Sequence, residues 1–104
     1  MITESILRTN IHTQWTLYGS IQDFGDYEKL IKALEDAQNG DSIELLINSP
    51  GGSVSTGMMI VQAIQRSKAT VISNVVYPSY SMASLIACAG DYLLIQKHAL
   101  LQEW

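Results

Sequence analysis

Two short segments of this sequence hold residue types suited to acyl-group chemistry. The first reads Ile47-Asn48-Ser49-Pro50-Gly51-Gly52-Ser53-Val54. Two adjacent glycines permit a sharp turn with positive φ and let a ligand or another chain approach closely. A helix starting just after them aims unpaired amides outward, which favours an anion or a developing oxyanion. The plainer alternative is an ordinary tight turn. The spacing matches neither the Gly-x-x-x-x-Gly-Lys phosphate loop nor the Gly-x-Gly-x-x-Gly dinucleotide loop. The second segment reads Tyr77-Pro78-Ser79-Tyr80-Ser81-Met82-Ala83-Ser84. Ser81 stands where a strand gives way to a helix of small residues, at that helix's positive end. Such a corner presents a hydroxyl as a nucleophile, although the Gly-x-Ser-x-Gly spelling is absent. The competing reading makes Ser81 a helix cap and nothing more. With both corners on one sheet edge, amides after the Gly-Gly turn and the Met82 amide would converge on one oxygen beside the Ser81 hydroxyl. That arrangement is a nucleophile plus an oxyanion hole.

The elements that must position these corners follow from periodicity. Residues 11–21, with Ile11, Trp15, Leu17 and Ile21 among polar neighbours, predict a strand. A turn over residues 23–26 precedes an amphipathic helix carrying Tyr27, Leu30, Ile31, Leu34 and Ala37, with Asp26 as N-cap and Asn39-Gly40 as its stop. Residues 42–48 form a short apolar run of the buried, parallel type. Ser53 opens a second helix over residues 54–67, and residues 70–76 are a β-branched strand broken by Pro78. A third helix over residues 81–89 ends at Gly90, and residues 92–95 and 99–101 read as short strands. Alternating strands and helices call for an α/β layer fold with parallel strands and right-handed crossovers.

Composition narrows the function classes. With 104 residues the chain makes one domain. Charged residues are only 15% and hydrophobic ones 47%, so part of the surface is expected to be covered, most simply by another copy. A net charge of −4 gives no basic field for nucleic acid or anionic lipid. No run of about 18 apolar residues suggests a membrane span. The single Cys88 excludes an internal disulfide framework and is expected to be a buried small hydrophobe. These features point to a reducing, cytoplasmic compartment.

At this point the two segments resemble a known family, the proteolytic subunit of the Clp protease (ClpP), in the ClpP/crotonase fold. The segment from Ile47 to Val54 is similar to that family's signature almost letter for letter, and Tyr80-Ser81-Met82-Ala83 is similar to its nucleophile turn. The resemblance spans roughly residues 5–104. It implies repeated β-α units with mainly parallel strands, the C-terminal part of the family fold missing, in one partial ClpP-like domain over residues 1–104. It implies that Ser81 is the nucleophile, that Gly52 and Met82 are the oxyanion donors, and that an extended peptide lies along Gly51, Gly52, Ser53 and Val54. It implies rings of subunits, co-assembly with full-length ClpP, an ATP-driven AAA+ unfoldase as partner, unfolded peptide as substrate, and no metal or organic cofactor. The family's general-base histidine falls on Gln102, Glu103 or Trp104, and its aspartate lies beyond residue 104. His12 precedes the first strand and His98 lies six residues before the expected place, so the chain is expected to be nearly inactive as it stands.

Two rivals remain. One is a non-catalytic assembly protein that packs into rings and alters a partner's activity. The other is a crotonase-type acyl-thioester enzyme using the same oxyanion turn, against which the Asn-Ser-Pro-Gly-Gly spelling and Ser81 both argue. Met58, Met59, Ile60 and Val61 are expected to serve core packing or subunit contact. Trp15, Tyr77, Tyr80 and Trp104 are too scattered to stack bases. The acidic residues between Asp23 and Asp41 read as a solvated face rather than a calcium site.

Overall fold

The computed structural model describes residues 9–76, 79–96 and 101–102. Four strands, β1 (His12–Tyr18), β2 (Ser42–Asn48), β3 (Thr70–Val75) and β5 (Tyr92–Ile95), form one sheet in the order β1-β2-β3-β5. Every pairing in it is parallel. Between them run α1 (Glu28–Asp36), α2 (Val54–Arg66) and α3 (Met82–Ala89). A second, two-stranded sheet pairs β4 (Ser79–Tyr80) with β6 (Leu101–Gln102). The expected α/β fold with parallel strands is therefore what forms.

The strand order never reverses, so right-handed crossovers stack all the helices on one face. Period-two alternation then divides the strands. Leu17, Ile43, Leu45, Ile47, Val71 and Val75 point inward and meet Leu34, Ile60, Ile64, Ile86 and Ala87 from the helices in one buried cluster. The intervening residues point to a face that no described helix covers. Across it, Gln14 Nε2 donates to Glu44 Oε1 at 2.9 Å and Asn74 Nδ2 to Glu44 Oε2 at 3.0 Å. Gln96 Nε2 donates to Asn74 Oδ1 at 2.8 Å, completing a polar row across the sheet. The bond from Asn74, and after it that from Gln14, holds the Glu44 carboxyl below the ordinary glutamate range.

Local chemistry adjusts several boundaries. The first strand stops at Tyr18 instead of reaching residue 21, because Gly19 turns at φ +76°. Asp26 does not cap α1. Residues 24–27 wind into a 3-10 turn, and the helix starts at Glu28 with no side-chain cap. Tyr27 secures this entry instead: its hydroxyl accepts from the Gln22 amide at 3.2 Å and donates to the Ser20 carbonyl at 3.4 Å. The helix ends at Asp36, short of Asn39-Gly40, because Ala37 is already extended. The buried Asp41 carboxylate takes the Gln38 amide at 2.9 Å and the Ile11 amide at 2.9 Å, gathering the chain there.

Cys88 is exposed, contrary to the expectation of burial. On α3 the buried positions are Met82, Ala83, Ser84, Ile86 and Ala87, and Cys88 falls on the opposite stripe. Met58 and Met59 are each 39% exposed, so they are not core residues. Met58 instead borders a shallow apolar groove between α2 and α3 with Val61, Leu85 and Cys88. Tyr92, Leu93, Leu94 and Ile95, the whole of β5, are also exposed. Among the described residues no helix is long and apolar enough to cross a membrane. The expected strand over residues 99–101 falls partly outside the described residues, as do Tyr77, His98, Glu103 and Trp104.

Candidate functional site

The two corners leave neighbouring strands at the same end of the sheet. Ile47 of β2 pairs with Val75 of β3, and the Val76 amide donates to the Ile47 carbonyl at 3.2 Å. The chain turns out of β2 immediately after Asn48 and out of β3 immediately after Val75, so both corners lie on the carboxyl edge.

In the first corner the buried Ser49 hydroxyl accepts from the Gly51 amide at 3.1 Å, which tightens the turn. Gly51 and Gly52 take φ values of +107° and +150°. Ile21 runs beside them in parallel: its amide donates to the Gly51 carbonyl at 2.8 Å, and its carbonyl accepts from Ser53 at 2.9 Å. A Cβ at Gly52 would overlap the Ile21 backbone. Glycine is thus required there both by φ and by the closeness of another strand. Among the described residues the Gly52 amide has no acceptor. Ser53 then caps α2, its Oγ accepting from Thr56 at 3.2 Å.

The second corner carries a backbone that only a few residue types tolerate. Ser81 has φ 55° and ψ −128°, the single positive-φ position outside glycine among the described residues. Such a conformation costs on the order of 1–3 kcal/mol and persists only where its surroundings impose it. The Ser81 hydroxyl makes no capping hydrogen bond, so the cap reading does not describe this serine. Its carbonyl carries the start of α3, accepting from Ser84 at 3.0 Å and Leu85 at 3.3 Å. The Met82 amide, at the first helical position, has no acceptor among the described residues.

Two contacts surround the second corner, one of them joining it to the first, and neither was legible in the motifs. The buried Met82 side chain packs on Gly57, where a Cβ would come within 2.5 Å of Met82 Cε and 3.2 Å of its Cβ. The beginnings of α2 and α3 therefore touch through a glycine inside the helix, an unforced glycine being the one sequence signal for such an approach. The second contact is the pairing of β4 with β6, which sets Tyr80 opposite Gln102. Gln102, one of the three positions at which the resemblance seeks a base, thus lies opposite the residue preceding Ser81; Glu103 and Trp104 are outside the described residues. Of the two histidines, His12 lies on β1 at the other end of the sheet, and His98 is outside the described residues. Among the described residues no group of His, Cys, Asp and Glu could hold a metal ion.

Comparison with known proteins agrees with this architecture. The family model for Clp protease matches residues 12–99. The ATP-dependent Clp protease proteolytic subunit of Carsonella ruddii is 42% identical over 55 residues, covering 53% of this chain and 28% of that protein. An uncharacterized protein of Methanocaldococcus jannaschii is 32% identical over 78 residues, covering 73% of this chain and 27% of that protein. Among solved structures, ClpP1 from Listeria monocytogenes is 32% identical with a TM-score of 0.65, over 74% of this chain and 46% of that one. The ClpP catalytic domain from Plasmodium falciparum superimposes with a TM-score of 0.73 at 24% identity, over 86% of this chain and 53% of that one, a likeness of fold. The 1510-N membrane protease specific for a stomatin homolog from Pyrococcus horikoshii gives a TM-score of 0.71 at 25% identity, over 90% and 49%. The chain spans about a quarter of the length of the curated relatives it matches.

Proposed function

The chain belongs to the Clp protease family, and on that footing we propose that it is a serine-peptidase core with Ser81 as nucleophile. The observation that carries this reading is the positive φ of Ser81 together with its uncapped hydroxyl. The Ser81 hydroxyl attacks the carbonyl carbon of a peptide bond. The amides of Gly52 and Met82 receive the negative charge that develops on the carbonyl oxygen. Supporting this role, both amides lack an acceptor among the described residues and both flank the contact between the starts of α2 and α3. An unfolded peptide lies extended along Gly51, Gly52, Ser53 and Val54, on the edge that Ile21 leaves open.

The proton is the missing part. Serine at its free pKa is a weak nucleophile and needs a neighbouring base. The places expected for it carry Gln102, Glu103 and Trp104, none of which replaces an imidazole. These 104 residues by themselves are therefore expected to cleave fluorogenic peptides at background rate. Hydrolysis at the rate of an ordinary serine peptidase, lost in Ser81→Ala, would overturn the inactivity. Hydrolysis unaffected by Ser81→Ala would overturn the nucleophile.

A second reading is favoured by a separate observation, the exposed apolar strand β5. In that reading the chain is an assembly protein that enters rings with itself or with full-length ClpP, in the cytoplasm and beside an AAA+ unfoldase. Size-exclusion chromatography with light scattering, alone and mixed with full-length ClpP, distinguishes the two. A monomer that never co-assembles removes the ring.

A further inference from the structure

We propose that Ser42 is a second nucleophilic serine, activated by His12 and open to acylation by esters with good leaving groups. His12 Nδ1 lies 2.6 Å from Ser42 Oγ. The two residues are direct partners in the parallel register of β1 and β2, so the backbone ladder holds the contact. In the tautomer protonated on Nε2, the Nδ1 lone pair accepts the serine proton, the relation a base and its nucleophile require. Among the described residues no other serine has an imidazole partner.

The surroundings leave the pair accessible and uncontested. The next pair on the same face is Gln14 and Glu44. Its residues stand two positions along the strands from the pair, roughly 7 Å by the strand rise, on the same face of the sheet. Glu44 does not compete for the serine, because its oxygens are taken by Gln14 and Asn74. His12 is exposed on the face free of described helices, so a reagent can reach the pair.

What the pair lacks decides its substrate class. The Ser42 amide donates to the Ile11 carbonyl at 3.0 Å and the Thr70 amide to the Asp41 carbonyl at 2.9 Å. Those neighbouring amides are committed, so they offer nothing to an oxyanion. Only an acyl group whose leaving group departs readily then reacts, such as an aryl ester, and a peptide bond does not. With p-nitrophenyl acetate the bond from Ser42 Oγ to the acetyl carbon forms and the bond to the phenolic oxygen breaks. The serine proton passes to His12 Nδ1 and then to solvent, and p-nitrophenolate leaves. This activity is independent of the peptidase reading.

The test uses p-nitrophenyl acetate on the whole chain, with p-nitrophenolate release followed by absorbance and the acetyl group located by peptide mass mapping. Acetyl is expected on Ser42. Its rate of formation should fall about tenfold to a hundredfold in His12→Asn, which keeps a polar group near the Nδ1 position but not a base. The thermal midpoint, measured alongside, should not move. If His12→Asn lowers the midpoint, His12→Gln is read in its place. An acetyl group absent from Ser42, or arriving there as fast without the imidazole, overturns the proposal. An adduct on Ser81 appears in a different peptide, so the two sites are never confused.

Discussion

At the carboxyl edge of the sheet, Ser81 sits on a backbone with positive φ, beside amides that have no acceptor among the described residues. At the amino edge, Ser42 sits on a regular strand with an imidazole 2.6 Å away and its own amide already bonded. Each region holds what the other lacks. In the functions proposed for them, one receives the charge that develops on a substrate oxygen and the other takes the proton that leaves serine. Catalysis of a difficult acyl transfer needs both in one place, since the two contributions act on the same transition state. The comparison teaches that a serine beside a histidine and a serine in a strained corner are different assets, the first set by strand register and the second by a turn.

Four experiments break or sharpen this contrast. The largest effect is expected from bringing the missing property to the corner. Gln102 pairs with Tyr80, next to Ser81. Histidine placed at 102, 103 or 104 in turn should raise peptide hydrolysis about a hundredfold in the best of the three, and the gain should vanish with Ser81→Ala. If all three variants stay at background, the corner is not a nucleophile site and the contrast collapses.

The next effect is structural. Gly52→Ala adds a Cβ against the Ile21 backbone at φ +150°. It should cost on the order of 3 kcal/mol in chemical denaturation, and an unchanged midpoint would mean that the corner yields freely.

A smaller effect separates the two serines by sign. Ser81→Gly relieves a positive φ and should stabilise by about 1 kcal/mol. Ser42→Gly removes a strand side chain and should destabilise by roughly the same amount. Equal signs would remove the claim that only one of the serines is strained.

The smallest concerns the polar row that crosses the sheet beside Ser42. By NMR titration the Glu44 carboxyl should ionise below the ordinary glutamate range, and Asn74→Ala should raise it more than Gln14→Ala. Because the folded state lowers this pKa, its stabilising share is present above the unfolded value and is lost as pH falls through the folded one. A Glu44 that titrates normally would show the row to be loose.

Much of the scaffold was legible because each strand and helix obeys one period. The bounds 42–48 and 92–95 match the strands, since turn residues flank the first on both sides and precede the second. The cap at Ser53 was legible for the same reason. Boundaries governed by long-range bonds were not. Asp26 looks like a cap, yet Tyr27 reaching back to residues 20 and 22 decides where α1 begins. The burial of Cys88 was misjudged because an apolar run on a short helix still turns one stripe outward. At the corners, residue types announced Ser81 and Gly52, whereas the contacts that bring their surroundings together, Gly57 on Met82 and Ile21 beside Gly52, join distant parts of the chain. The pair of His12 and Ser42 escaped sequence reading because it depends on register, which no local pattern reports.

The small sheet of β4 and β6 carries a consequence for motion. Seven residue pairs tie β1 to β2, and among the described residues two tie the segment at residues 101–102 to the approach to Ser81. A ladder that short opens at little cost, since local opening reflects how few bonds must break together. Among the described residues this small sheet is a less cooperative seam than the four-stranded one. Any neighbouring surface that clamped it would hold Gln102 in register with Tyr80, so a histidine introduced at 102 would gain from that ordering.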